Sequence, residues 1–261
     1  MQEYTIRFVG TCSGTEPIEG RFHTCFTVET NGQVYWFDAG EGCAHNAHVS
    51  GVDLLSVRAV FISHTHMDHI GGLGGLFWNI RKLCSRRGED LPRGTIPLFV
   101  PELRAWEGIQ TMLGCTEGGF SGYFTVDAHP VSDGLLYHDE NITVTAFHNH
   151  HLQTEEGDGW RSFSYRIDLI AAQKTVVFSG DVRTPGDLDA AVGDGCGLLL
   201  METGHHSLAS VSEYVSTHPV ESISFLHHGR EILNDPSGAE ETVRRFSVPA
   251  AIRYEGDKIV F

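Results

Sequence analysis

The sequence predicts an α/β protein. Short β-rich segments dominate, they fall into two groups, and helical stretches separate and follow them. Each group opens with strands that read as hairpins and then takes helical connections. Two sheets packed face to face, with helices outside, would bury the apolar faces of both groups. The 261 residues suit one large domain, and no Pro/Ser linker, charge block or fixed-period repeat divides them, so residues 1–261 are expected to form a single unit.

Tyr4 to Val9 alternates as a strand, and a Gly/Thr/Ser/Pro loop follows over Gly10 to Gly20. Cys25 to Thr30 and Gln33 to Asp38 form the next two strands, with Asn31-Gly32 between them as a type I′ hairpin signal. Arg58 to Ser63 is a β-rich run. The stretch Ile70 to Arg87 reads as a helix after its first turn, with Leu73, Leu76, Phe77, Ile80 and Leu83 on one face. Ile96 to Val100 is a strand, and Pro101 to Leu113 a helix with proline in its first turn. Strands follow over Ile142 to Phe147, Ser162 to Leu169, Thr175 to Ser179, Leu198 to Glu202 and Ser222 to Leu226. Helical stretches cover Asp187 to Val192, Ser210 to Ser216 and Glu240 to Phe246, and Ala250 to Phe261 reads as a final hairpin.

The formal net charge is −16, which repels phosphate backbones and disfavours non-specific nucleic-acid binding. The longest apolar runs, such as Leu198 to Met201, fall far short of a membrane span, and Met1 to Arg7 does not read as a secretory leader, so a cytoplasmic location is expected. Cys12, Cys25, Cys43, Cys84, Cys115 and Cys196 show no C-x-x-C spacing and are expected to be buried free thiols. The 16 histidines are different, because many sit in tight clusters, as metal chemistry requires.

The key segment is Ser63-His64-Thr65-His66-Met67-Asp68-His69, at the end of a β-rich run. Four ligand-type side chains in six positions at a strand end can face one cleft. Imidazole and carboxylate suit zinc, manganese or iron.

This H-x-H-x-D-H string resembles the metal-binding signature of the metallo-β-lactamase superfamily, and further motifs appear in the family's order over most of the chain. The resemblance implies a four-layer αββα sandwich with two divalent metal ions at one edge of the sheets, zinc foremost. It implies that His64, His66 and a third histidine hold one metal, that Asp68, His69 and a fifth histidine hold the other, and that Asp181 in Ser179-Gly180-Asp181 bridges them. Asp38 in Phe37-Asp38-Ala39-Gly40 supports the site without binding metal. The third ligand lies in His148-Asn149-His150-His151, where the family places it at His151 in preference to His150 or His148. The fifth lies in His227-His228, where family register favours His228 over His227. The cluster Glu202-Thr203-Gly204-His205-His206 follows a buried-looking strand. Glu202 is expected to support the site, and His205 or His206 to protonate a leaving group or contact a phosphoryl oxygen. His23, Arg21, Arg183 and Arg230 stand near these motifs, the arginines as charge for an anionic substrate or as ordinary surface residues. His45, His48, His129, His138 and His218 show no ligand spacing, and Trp160 is placed near the site entrance.

The segment Phe8 to Pro17, followed by Arg21 and Asp38 to Gly42, is similar to the opening of tRNase Z and its phosphodiesterase relatives, with Cys12 where glycine is common. Only residues 152 to 180 separate the third-ligand and bridging-aspartate motifs, which leaves no room for the tRNA-binding arm of tRNase Z. The expected function is therefore dinuclear hydrolysis of a small phosphodiester or cyclic phosphate, with Asp68 orienting the attacking hydroxide shared by two cations. The same chemistry would serve a thioester, lactone, sulfate ester or lactam. A tRNase Z-like ribonuclease and a non-catalytic metal-binding sensor are the alternatives from other classes. The partners expected are a small anionic substrate and, since superfamily members are often dimers, a second copy of the chain, with no membrane and no nucleic acid.

Overall fold

A computed structural model describes residues 2–152 and 159–261. Its first half contains β1 (Thr5–Gly10), β2 (Cys25–Thr30), β3 (Gln33–Phe37), α1 (Cys43–Val49), β4 (Val57–Phe61), α2 (Met67–Ile70), α3 (Leu73–Arg87), β5 (Thr95–Val100), α4 (Leu103–Gly114) and β6 (Thr125–Pro130). The second half contains β7 (Gly134–His138), β8 (Ile142–His148), β9 (Phe163–Leu169), β10 (Lys174–Phe178), α5 (Asp189–Val192), β11 (Leu198–Glu202), α6 (Leu208–Thr217), β12 (Ile223–Leu226), α7 (Arg230–Asn234), α8 (Pro236–Val243), β13 (Ala250–Ile252) and β14 (Lys258–Val260).

Two seven-stranded sheets result, ordered β14-β1-β2-β3-β4-β5-β6 and β13-β12-β11-β10-β9-β8-β7. Their facing sides share an apolar layer that includes Phe8, Phe26, Phe37, Phe61, Tyr165 and Phe178. Phe26, Phe37, Phe61 and Phe99 are register partners on four neighbouring strands. Their rings stack in sequence at 4.9, 4.9 and 5.1 Å between centroids. Burying each ring is worth about 1.5–3 kcal/mol, and each aromatic pair adds about 0.5–1.5 kcal/mol. A second core, with Trp36, Leu76, Phe77 and Trp106, lies under α1, α3 and α4. A third, with Leu199, Met201, Val211 and Phe225, lies under α5, α6 and α8. The four layers are therefore α, β, β, α.

Strand alternation explains this layering. In β3, Tyr35 and Phe37 face the other sheet while Val34 and Trp36 face the helices. The Asn31-Gly32 turn has both residues at positive φ, 49° and 68°, as a type I′ hairpin requires.

Several elements differ from the sequence reading. The Ala250 to Phe261 segment is no hairpin. β13 extends the second sheet in parallel with β12, whereas β14 pairs with β1 in the first sheet. The helix expected from Pro101 starts at Leu103, because the Glu102 side chain caps it by accepting from Arg104 N. The helix expected over Glu240 to Phe246 runs instead over Pro236–Val243, started by an Asp235 cap and a proline at its first position. β6 and β7, which carry His129 and His138, and the short α1 and α7 were not anticipated. Five of the six cysteines are buried free thiols as expected, but Cys115 is exposed. No helix among the described residues is long and apolar enough to cross a membrane.

The parallel strands matter most for the site. β3, β4 and β5 run parallel in one sheet, and β10, β11 and β12 in the other. Their carboxyl ends converge on one edge, the side on which open α/β sheets bind ligands.

Candidate metal centre

Asp38 follows β3, Ser63 and His64 follow β4, and Asp181, Glu202 and His227 follow or end β10, β11 and β12. The short α2 turns back immediately after His66, so Asp68 and His69 project into the same cleft. His151 arrives from the segment after β8. In the turn before Asp181, Gly180 sits at φ 56°, and a Cβ there would lie 2.7 Å from Phe163 O and 3.0 Å from Ser63 Cβ. Only glycine fits this crossing between the two halves.

Among the described residues three overlapping groups of potential ligands form, all including Asp181: two match the expected pair of donor sets, His64, His66, His151 and Asp181, and Asp68, His69, His227 and Asp181, and a third, Glu202, His205, His227 and Asp181, overlaps the second. In each set the ligand atoms lie within 4.8 Å of one another. Asp181 divides its oxygens between the first two. Its Oδ2 faces His64 Nε2 at 3.6 Å and His151 Nε2 at 3.7 Å. Its Oδ1 faces His69 Nε2 at 3.3 Å and His227 Nε2 at 3.4 Å. Asp68 Oδ2 completes the second set, 3.4 Å from His69 Nε2 and 3.1 Å from His227 Nε2. His64 Nε2, His69 Nε2 and Asp181 Oδ1 are buried and, among the described residues, make no hydrogen bond. Orphaned buried donors and acceptors are costly, and two divalent cations fit this nitrogen and oxygen set.

The opposite edges of the ligands are anchored. His69 Nδ1 meets Asp38 Oδ2 at 2.6 Å, while Ser63 donates to Asp38 through its backbone N at 2.6 Å and its Oγ at 2.7 Å. Ser63 Oγ also lies 3.1 Å from His64 Nδ1. Such anchors fix which nitrogen of each imidazole faces the cleft. Ser63 was given no role by the sequence reading, and its position beside the histidine motif is the only signal it offers.

Burial favours neutral imidazole at His64, and at His151 it lowers the pKa to about 4. Burial opposes charge on His69 and His227 as well, but the adjacent carboxylates override it. His69 is raised by Asp181 and Asp38, and His227 is raised to about 9 by Asp181 and Asp68. Asp68 and Asp181 are held well below the usual carboxylate range. For both, burial opposes ionisation, and His69 and His227 outweigh it. The carboxylates thus draw protons onto His69 and His227, the positions that divalent cations would take in their place.

The structure brings His151 into the first set and holds the other two candidates away from it. His148 Nδ1 is bound by Asp133 at 2.6 Å and His150 Nδ1 by Asp187 at 2.8 Å. Trp160 stacks on His148 with centroids 4.0 Å apart. The expectation at the fifth position is corrected, since His227 and not His228 joins the second set. Arginine cannot accept a hydrogen bond, so the 2.7 Å contact between Arg21 Nη2 and His228 Nδ1 makes Nδ1 the acceptor. Nε2 then donates to Phe225 O at 3.3 Å, and neither nitrogen is left for a metal.

His205 and His206 also separate. His205 is half-exposed above the cluster, its ring 4.8 Å from that of His151 and 5.7 Å from that of His227. Its Nδ1 donates to buried Glu202 Oε1 at 3.1 Å, and its backbone N donates to Oε2 at 2.9 Å. His206, expected as the other proton donor, turns away and donates from Nε2 to Val182 O at 2.9 Å. His23 sits 4.0 Å from Glu41. Arg230 is ion-paired to Glu16, and Arg183 is exposed. Residues 153–158 of the segment weighed against a tRNA-binding arm lie outside the described residues, and the remainder of it contains β9 and β10.

Residues 4–203 match the family model described as Anti-Pycsar protein Apyc1. The chain is 29% identical over 145 residues to Ribonuclease Z of Methanothermobacter thermautotrophicus, covering 54% of this chain and 42% of that protein. It is 28% identical over 195 residues to Ribonuclease Z of a Synechococcus strain, covering 72% and 54%. The chain thus spans about half the length of the curated relatives it matches. Among solved structures, the metallo-β-lactamase fold protein YhfI of Bacillus subtilis superposes with a TM-score of 0.74 at 15% identity, covering 99% and 100% of the two chains. The short form of human tRNase Z gives 0.70 at 18% identity, covering 98% of each.

Proposed function

The chain belongs to the Anti-Pycsar protein Apyc1 family, within the metallo-β-lactamase superfamily and beside ribonuclease Z, and from that premise we propose that it is a dinuclear phosphodiesterase of small phosphodiesters or cyclic phosphates. The observation that carries this reading is Asp181, which gives one carboxylate oxygen to each of two donor sets. His64, His66 and His151 would hold one cation, and Asp68, His69 and His227 the other. When bound, the pair supplies Lewis acidity toward the phosphoryl oxygens and lowers the pKa of water.

The chain's own residues do the rest. Asp38 and Ser63 keep His64 and His69 with Nε2 facing the cleft. Asp68, held anionic and partly open to solvent, would orient the attacking water as a hydrogen-bond acceptor. Glu202 holds His205 by Nδ1, so Nε2 is free to deliver a proton to the leaving oxygen. Glu202 also raises the pKa of His205, which favours the proton-donating form.

Ribonuclease Z, by its name, cleaves RNA, so the similarity supports phosphodiester chemistry. The net charge of −16 and the short spacing between His151 and Asp181 favour a small substrate over structured RNA. Elemental analysis combined with bis(p-nitrophenyl) phosphate hydrolysis, with zinc and with manganese, tests the proposal. Two metals per chain with turnover are expected. Two metals without turnover would redirect the search to thioesters, lactones and sulfate esters. Absence of metal after reconstitution would overturn the reading.

A further inference from the structure

His227 is the only residue of the two donor sets with a left-handed backbone, at φ 51°. A non-glycine residue keeps that conformation only where its surroundings impose it. The surroundings are two crossing segments, Thr11 to Ser13 and Thr203-Gly204. Thr203 N donates to His227 O at 3.2 Å. His228 N donates to Thr11 O at 2.7 Å, and Ser13 Oγ donates to His228 O at 2.7 Å. A Cβ on Gly204 would stand 2.5 Å from the His227 ring, so the Thr203-Gly204 segment lies directly against that side chain.

One guanidinium joins these parts. Arg21 Nη2 donates to His228 Nδ1 at 2.7 Å and to Thr11 Oγ1 at 3.0 Å, while Nε donates to Glu255 Oε2 at 3.0 Å. Glu255 Oε1 in turn accepts from the backbone N of Thr11 at 3.2 Å and of Phe22 at 3.1 Å. The ion pair is mostly buried, with 16% and 11% of the two side chains exposed, and Arg21 also lies over the Tyr254 ring.

We propose that Arg21 is a positioning residue for the second metal site: held by Glu255, it fixes Thr11 and His228 and so keeps His227 in its left-handed, ligand-presenting conformation. The inference rests on the dinuclear reading above. The first site has no such dependence, since His64, His66 and His151 make none of the contacts with Thr11, His228 or Glu255.

The test is stepwise zinc affinity, measured by competition with a chromophoric chelator, together with cobalt(II) absorption spectra and thermal melting. Wild type is compared with Arg21→Ala, Arg21→Lys, Glu255→Gln and Arg7→Ala, the last removing a comparable part-buried ion pair with Glu29 far from the site. Arg21→Ala is expected to keep the first zinc and to bind the second about 10–100-fold more weakly, as loss of a ligand's support does. Arg21→Lys, which keeps one of the contacts, and Glu255→Gln are expected to be intermediate. Arg7→Ala is expected to melt earlier with both affinities unchanged. If Arg21→Ala cannot be purified folded, Glu255→Gln decides. Second-zinc affinity equal to wild type in the folded Arg21 and Glu255 variants would overturn this inference alone. A wild-type chain that takes up no second zinc would overturn the dinuclear reading and this inference with it.

Discussion

Asp181 joins the two donor sets, so its loss should not be confined to one. Asp181→Ala is expected to bring metal content below two per chain and to abolish phosphodiester turnover, read by elemental analysis and steady-state kinetics. Two retained metals with full activity would remove its bridging role. Asp38 acts one step back, through the Nδ1 of His69 and the backbone N of Ser63. Asp38→Ala should weaken metal binding about 10–100-fold. It should also cost about 1–3 kcal/mol of stability from the unsatisfied buried donor, measurable by urea denaturation. His205 belongs to the reaction itself. His205→Ala should keep both metals and lower kcat about 10²-fold or more on substrates with alkoxide leaving groups. The loss should be small for p-nitrophenyl esters, whose leaving group needs no proton, and an equal loss on both would argue against proton donation.

At the scale of elements, the aromatic ladder ties β4 to its neighbours just before the histidine motif. Phe61→Ala removes a ring stacked on both sides and should cost about 3–5 kcal/mol in denaturant titrations. The elements legible in the sequence were those with a strong local signal, such as the Asn31-Gly32 hairpin, the apolar face of α3 and the buried strands β8 to β12. β6 and β7 lie at the far edge of each sheet with mostly half-exposed or exposed residues, and β7 has an apolar run of only three, Leu135 to Tyr137, too short to announce a strand. The clustering of His64, His66, Asp68 and His69 could be read from spacing alone, because adjacent turns carry all four. His227 could not be distinguished from His228 in that way. Its choice depends on a positive φ imposed by Thr11, Thr203 and Gly204, residues far away in the chain. The segment Ala250 to Phe261 differs from the expected hairpin because a hairpin and two strands on separate sheets have the same local pattern.

Across the whole molecule, a single carboxylate spans the two sheets. Asp139 Oδ2 accepts from Tyr35 of β3 at 2.6 Å and from Tyr137 of β7 at 2.7 Å, while Oδ1 accepts from the backbone N of Asn141 and Ile142. Burial alone would raise its pKa, but these hydrogen bonds hold it below the usual value. A folded-state pKa below the unfolded one gives stability that is present above the unfolded pKa and is lost as pH falls through the folded pKa. Wild type should therefore lose its advantage over Asp139→Asn as the pH drops below the carboxylate range, in parallel urea titrations. A constant gap at all pH values would exclude the ionised form as the source. The last two strands have a different consequence, one of timing. Thr5 pairs with Val260, so β1 leaves the ribosome long before the strand that covers its outer edge. Throughout synthesis that edge offers unpaired N–H and C=O groups to any neighbouring nascent chain. Until Lys258 to Val260 emerge, β1 lacks the strand that covers this border in the folded molecule, and a chain that stops short of them is released with the border bare.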